Sequence, residues 1–482
     1  MLSKSRFLAG LQCSKLLWLR VHEPDAPELV WDPGPQAILD RGTRIGELAR
    51  QQFPGGILIA NDERRVQATR EAIEAGASVI YEASFVADDT FVAVDALERA
   101  PAGWKLVEVK STLSVKDEHI PDAAVQLHVL ERSGLHVHAV EIMHLNRDCR
   151  HPDLANLFAR TDVTARVRAL LPAMPARIAA QLGVLRGSLP VVATGPHCAA
   201  PHPCPFQSRC FAPLPEHHVS SLYRGGRRVA ELLAGGVERI EDIAEPLEGI
   251  RERQRRAVQT GELVVEGDLD AVVAAFASPV AFVDFETVSP AVPCWPGCSP
   301  YQSVPVQFSV HMQRAGGQIV HREWLADGPE DPRRSLAIAL LEACAGAGTI
   351  VAYSASFERG LIEDLATACP DLAPALLELA GRLVDLLPIV REHVYHPDFD
   401  GAFGLKVVAP ALTGVGYEDL EVAGGDLAAA SLERLLFDRI IDGEARAKLR
   451  CALLDYCGRD TWVLVLLLRR LRELASETEH AS

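Results

Sequence analysis

The sequence predicts an α/β protein made of two mixed-sheet domains, and three observations carry that expectation. Residues 79–145 run strand, strand, strand, helix, strand, with apolar β-rich runs at 79–86, 90–97, 104–110 and 136–145 and a helical period at 121–133. From residue 279 three further strand-like runs (279–288, 304–312, 319–325) precede a helix at 331–346, a strand at 348–353 and a helix from 356. Strands in succession, then strands alternating with helices, pack as mixed sheets. The 482 residues, 48% hydrophobic and 23% charged, are ordinary for a folded protein and about three times the ~150 residues of one domain.

The remaining elements follow in chain order. Helical periods at 37–52 and 62–76 lead into the first strand, Asp88-Asp89 is a turn, and Pro101-Ala102-Gly103 turns the chain before Trp104. Helices are expected over 153–185. Residues 195–215 are so dense in proline, cysteine and histidine that regular structure is excluded, which reads as a pinned loop. Short polar helices at 216–275 read as a connector, and a long helix closes the chain after Ala445. The expected domains are 1–215 and 276–482, joined by 216–275.

Composition excludes several classes. No apolar run approaches the ~20 residues of a membrane span. Near the N-terminus Gln12, Lys15 and Arg20 interrupt any export signal, so a cytoplasmic protein is expected. Eleven cysteines are an odd and sparse set for a disulfide scaffold, which directs attention to metal binding. The net charge of -17 argues against a basic nucleic-acid-coating protein. Residues 1–210 are nearly balanced, with 23 basic and 24 acidic side chains, whereas the rest holds 25 and 41. A carboxylate-lined cleft adds to such a surplus, and a solvated acidic face explains it equally well.

In the first half, Asp95 lies on one strand and Glu108-Val109-Lys110 on the next, where the period of two sets the acid and the lysine on one face. An Asp and a Glu can hold Mg2+ or Mn2+, with the Val109 carbonyl as a further ligand, while Lys110 orients or deprotonates water. Gln126, on the following helix, supports the site. The plain alternative is an ion pair on a half-exposed strand, because E-x-K alone is common. The order of helix, Asp strand, E-x-K strand and Gln helix resembles the RecB-like branch of the PD-(D/E)XK nucleases over residues 37–145. That resemblance implies a restriction-endonuclease-like mixed sheet with Asp95, Glu108, Lys110 and Gln126 as catalytic positions and Asp95 and Glu108 as metal ligands. Two positions depart from it. Gly42-Thr43-Arg44-Ile45-Gly46 stands where that branch often carries a histidine, and Leu130 stands at its helical tyrosine position. Glu47 and Glu82 are the available replacement carboxylates.

Cys198, Cys204 and Cys210 are spaced by five residues in the proline-rich loop, and Cys13 lies far upstream. Four thiolates hold an iron-sulfur cluster or tetrahedral zinc, and His197 and His202 keep zinc open. Four unconnected buried cysteines are the alternative to both. One cysteine before the nuclease core and three after it resembles the iron-sulfur staple of RecB-like nucleases, including the CRISPR-adaptation exonucleases. This implies a 4Fe-4S cluster clipping the ends of the domain together.

In the second half, Asp284 and Glu286 sit two apart on an otherwise apolar strand, which is costly unless a cation or hydrogen bonds compensate. Tyr456 and Asp460, four apart on the last helix, share one face. Singly, each motif also fits a cap or a solvated turn. Together they resemble the DnaQ-like, RNase H-fold exonucleases of the tyrosine-containing DEDD class. The first motif then maps to Asp284 and Glu286, the third to Tyr456 and Asp460, and the second to Glu358, where that class has Asp. The implied metal ligands are Asp284, Glu286 and Asp460, and Tyr456 orients water. Asp385 reads as a strand-end or capping residue.

Residues 300–309 and 401–410 further resemble a bacterial family known mainly as a domain of unknown function behind RecB-like nucleases. Within them Gln307 and Lys406 are open between touching phosphate and closing a loop. The combined expectation is a two-nuclease protein acting on nucleic acid, DNA over RNA and from its ends, with no membrane partner. The competing expectation is a nucleic-acid-binding or assembly subunit in which one or both sites have decayed.

Overall fold

The computed structural model describes residues 1–29, 33–438 and 440–479. The chain forms two compact units, Met1–Ala212 with Ala291–Tyr301, and Pro213–Pro290 with Gln302–Ser482.

The first unit opens with β1 (Leu2–Ser3), α1 (Lys4–Gln12) and α2 (Ser14–His22), followed by α3 (Pro33–Arg50), β2 (Ile57–Leu58) and α4 (Arg65–Glu74). Then come β3 (Val79–Ala87), β4 (Thr90–Ala100), β5 (Gly103–Lys110), α5 (His119–Arg132) and β6 (Val137–Leu145). β7 (Phe158–Asp162), α6 (Thr164–Arg168), α7 (Met174–Arg186) and α8 (Gln207–Cys210) complete it. The sheet order is β2-β3-β4-β5-β6-β7, with β1 joined to β4. β3, β4 and β5 form an antiparallel meander, and β6 runs parallel to β5 after the α5 crossover. Asp88 and Asp89 turn the first hairpin at positive φ, as a two-residue loop with right-handed strand twist requires. Helix α5 is buried along nearly its whole length, with Val125, Leu127, Val129 and Leu130 fully covered, so the residue at the expected tyrosine position is core.

The second unit begins with α9 (Gly226–Ala234), α10 (Ile250–Thr260), β8 (Val264–Val265) and α11 (Leu269–Ala274). β9 (Val280–Val288), β10 (Val304–Gln313) and β11 (Ile319–Leu325) form an antiparallel meander. Helix α12 (Arg333–Ala343) returns the chain to β12 (Thr349–Ala352), parallel to β9; α13 (Ser356–Ala368) and α14 (Ala373–Gly381) lead to β13 (Leu383–Asp385), parallel to β12. The sheet order is β11-β10-β9-β12-β13. α15 (Leu386–His393), β14 (Val394–Tyr395), α16 (Leu405–Thr413), α17 (Gly425–Phe437) and α18 (Gly443–Glu479) follow. Alternation along β9 divides the core. Ala281, Val283 and Phe285 pack with Leu336, Leu340, Leu361 and Ile362 of α12 and α13, while Phe282 packs with Leu464, Leu467 and Leu468 of α18. Among the described residues no helix is long and apolar enough to cross a membrane.

Three expectations change. Residues 158–162, expected within a helical stretch, form β7 against β6, a short edge strand whose half-exposed sequence gives no alternation to read. Residues 216–275 are part of the second unit, because Val219, Leu222, Leu232, Ile240, Ile243 and Val258 form a core there and β8 pairs with β14. Residues 291–301 belong to the first unit, where the Tyr301 hydroxyl donates to the Ser111 carbonyl at 2.8 Å and Ala291 packs with Ile45 and Leu145.

Candidate functional site

In the first unit Asp95, Glu108, Lys110 and Gln126 converge. Asp95 of β4 accepts the Val109 N–H of β5 at 2.7 Å. Glu108 is buried; its Oε2 accepts from Gln126 Nε2 at 2.7 Å, and its Oε1 accepts from Lys110 Nζ at 2.7 Å. Two residues that the sequence did not single out complete the group. Lys4 donates to the same Glu108 Oε1 at 2.8 Å, and the buried Asp122, one turn before Gln126, bonds Lys110 and lies 3.7 Å from Lys4 Nζ. Asp122 was readable as the i, i+4 neighbour of Gln126. Lys4, 104 residues from Glu108, left no signal.

Burial alone would raise the Glu108 carboxyl, but Lys110 and Lys4 hold it well below the usual range. Asp95 is pushed up to about 7, by burial first and by the Glu108 charge second. Glu82 stands opposite Asp95, since the ladder pairs Tyr81 with Ala96 and Ala83 with Val94, and it takes a positive φ of 55°. That backbone is strained for a non-glycine residue. Its carboxylate lies 3.8 Å from Arg50, and Glu47 is exposed on α3.

The four cysteines line one pocket. Cys13 ends α1 and caps α2, and Cys198, Cys204 and Cys210 reach the same cavity, which Leu16, Leu19 and Phe206 also line. The loop is held by the Cys204 N–H to the Cys198 carbonyl at 2.8 Å and by Gln207 Nε2 to the same carbonyl at 2.6 Å. Gln12 Nε2 donates to the carbonyls of His197 and His202. Burial raises the Cys204 thiol, and its neighbours Cys13, Cys210 and Cys198 add to the rise.

A three-ligand acidic group is formed by Asp284, Glu286 and Asp460, whose ligand oxygens lie within 4.8 Å of one another. β9 presents the two acids toward α18, where Cys457 Sγ approaches Asp284 Oδ2 at 3.8 Å. Burial raises Asp284 well above its ordinary value, and Asp460 and Glu286 add to the rise. Burial, then Asp460, pushes Glu286 up to about 8. Asp460 is pushed up to about 6 by burial, against the pull of a 2.6 Å hydrogen bond from the Tyr417 hydroxyl. Tyr456 is buried beside them, its ring 6.4 Å from that of Tyr417. Lys406 is exposed at the start of α16, with Nζ 4.7 Å from the Tyr456 ring centroid and 2.8 Å from the Ala423 carbonyl.

Glu358 is buried at the start of α13, outside that triad, yet close enough to raise Asp284. Among the described residues its Oε2 has no hydrogen-bond partner, and burial pushes its carboxyl up to about 7. Asp385 caps α15, accepting from the Leu387 and Ser354 N–H groups. Gln307 is fully buried and donates to the Leu453 carbonyl, so it ties β10 to α18.

Residues 281–404 match a family described as a domain of unknown function (DUF2779). The matched segment contains Asp284, Glu286 and Glu358 and stops before Lys406, Tyr456 and Asp460. No curated protein matches the chain.

Proposed function

We propose that the chain is a metal-dependent nuclease hydrolysing phosphodiester bonds of nucleic acid, DNA in preference to RNA, with its hydrolytic centre at Asp284, Glu286 and Asp460. The observation that carries this reading is the convergence of three partly or fully buried carboxylates, of which Asp284 and Glu286 are raised by burial and by their acidic neighbours. Such a cluster fits a divalent cation, since burying like charges together is costly without one. Mg2+ or Mn2+ held there would supply Lewis acidity toward a phosphodiester oxygen and a more acidic water. The Tyr417 hydroxyl fixes the Asp460 carboxylate. Tyr456 lines the site to orient water, and exposed Lys406 offers a positive charge to a phosphate at its edge.

In fold terms the second unit is read as RNase H-like, supported by a mixed five-stranded sheet with two acids on β9 and the third on a packed helix. The first unit is read as PD-(D/E)XK-like, supported by the β-β-β-α-β order and the joining of Asp95, Glu108, Lys110 and Gln126. An iron-sulfur staple is read at Cys13, Cys198, Cys204 and Cys210. Tetrahedral zinc, at about 2.3 Å from each sulfur, draws sulfurs to within ~4 Å of one another. Four thiols lining one pocket can serve either, and the layout of one cysteine far upstream and three with wide spacing favours the cluster.

The test is digestion of end-labelled DNA and RNA with Mg2+ or Mn2+ by the wild type, Asp284→Ala and Lys110→Ala. Loss of cleavage in Asp284→Ala supports the reading, and undiminished cleavage in that variant overturns it. One observation favours a second reading, in which the first unit binds nucleic acid without cutting it. Both oxygens of Glu108 are already engaged by Lys4, Lys110 and Gln126. Lys110→Ala that cleaves as well as wild type selects it.

A further inference from the structure

The oxygens expected to hold a cation in the first unit do not fit one in this arrangement, and the reason is Lys4. Its ammonium lies 2.8 Å from Glu108 Oε1 and 3.7 Å from Asp122 Oδ1, and the Asp95 charge acts on it as well. Lys110 already occupies the same Glu108 oxygen, and Gln126 takes the other. We propose that Lys4 is a tethered cation standing in the place of a divalent ion, so that the first unit excludes Mg2+ and Mn2+ while Lys4 is seated.

The N-terminal segment is built to hold it there. Leu2 and Ser3 pair with Thr90 and Phe91 of β4, and the Leu2 N–H donates to the Asp89 carbonyl at 2.8 Å. Leu2 and Phe7, on either side of Lys4, are fully buried. Ser3 caps α1 by accepting the Arg6 N–H. Lys4 is therefore the first residue of a nine-residue helix, where the dipole disfavours a positive side chain. A lysine at that position is held by the carboxylates in front of it.

Charge counting points the same way. Asp95, Glu108 and Asp122 face the two ammoniums of Lys4 and Lys110, and the remaining nearby acid, Glu82, lies 3.8 Å from Arg50. Without Lys4 three carboxylates face one ammonium, an imbalance that one divalent ion neutralises. The Lys4 side chain keeps 28% of its surface exposed, so withdrawing it opens the site to solvent ions.

The inference borrows from the proposed nuclease reading only the choice of ion, and its test reads ion binding rather than cleavage. In full-length protein carrying Asp284→Asn and Asp460→Asn, which silence the second unit, Mn2+ binding is followed by electron paramagnetic resonance at pH 8. With Lys4 present, no Mn2+ site sensitive to Glu108→Gln is expected. Lys4→Met should create one such site, binding at least about tenfold more tightly, and Lys4→Arg should not. A Glu108-dependent Mn2+ site in the Lys4 protein, as tight as in Lys4→Met, overturns the proposal. Should Lys4→Met fail to fold, the Lys4 and Lys4→Arg proteins still decide, because a Glu108-dependent site in either is fatal to it. Cleavage by the protein with Asp284 and Asp460 intact tests the nuclease reading separately.

Discussion

The Tyr417 hydroxyl donates to Asp460 Oδ1 at 2.6 Å, so the acid that α18 brings to the triad is oriented from a loop 43 residues away. This bond favours the ionised carboxylate and opposes the rise that burial imposes.

Tyr417→Phe should therefore raise the Asp460 pKa further and move the acid limb of Mn2+ binding to higher pH, by about one unit or roughly 1.4 kcal/mol. Binding should recover at alkaline pH, where Asp460 ionises despite the loss. Mn2+ titrations from pH 5.5 to 9 check this, and an unchanged acid limb assigns Tyr417 a packing role only.

Glu286 and Asp460 are raised to about 8 and about 6 from ordinary values of 4.5 and 3.8. The folded metal-free protein then holds protons that the unfolded chain has released, so stability falls as pH rises between about 4 and 8. A cation binding the ionised acids opposes that fall, and at a hundred times its Kd it adds about 2.7 kcal/mol. Melting curves should show a larger Mn2+-induced rise in Tm at pH 8 than at pH 5. Asp284→Asn should raise the metal-free Tm at pH 8 and remove most of the response to Mn2+.

Glu358 stands outside the triad but within the field of Asp284, its Oε2 buried without a hydrogen-bond partner among the described residues. That placement suits an acid acting on the metal site through water. Glu358→Gln should lower cleavage by about 10- to 100-fold while leaving Mn2+ bound. Because the carboxyl is raised to about 7, the same change should stabilise the metal-free protein above pH 7 and do little below pH 5. Wild-type cleavage by Glu358→Gln would confine Glu358 to a structural role.

Much of this was legible where a local pattern existed. The strands at 79–110 alternate between turn signals, with Asp88-Asp89 before the second and Pro101-Ala102 before the third. Asp284-x-Glu286 and Tyr456-x3-Asp460 each declare a face through their own spacing. What stayed hidden depends on long-range contact. Lys4 reaches Glu108 only because two residues, Leu2 and Ser3, add to β4, a strand too short to have a period. Tyr417 lies in a loop, and the 291–301 segment belongs to the first unit although its neighbours in sequence belong to the second. Spacing revealed the cysteines of the loop, but only the fold brings Cys13 to their cavity.

That convergence makes the last prediction. If the pocket holds an iron-sulfur cluster, anaerobically purified protein should be brown, with iron and acid-labile sulfide in equal amounts. Cys204→Ser should bleach it. Cys13 and the Cys198–Cys210 loop lie at opposite ends of a long segment, so losing the ligand also loses a constraint on the unfolded chain, and Tm should fall with the colour. Cys149→Ser offers the control, since Cys149 is buried in a separate cluster with Ile45 and Leu157 and should leave the absorption unchanged. Colourless protein carrying one zinc, lost in Cys204→Ser, would instead assign the pocket to tetrahedral zinc.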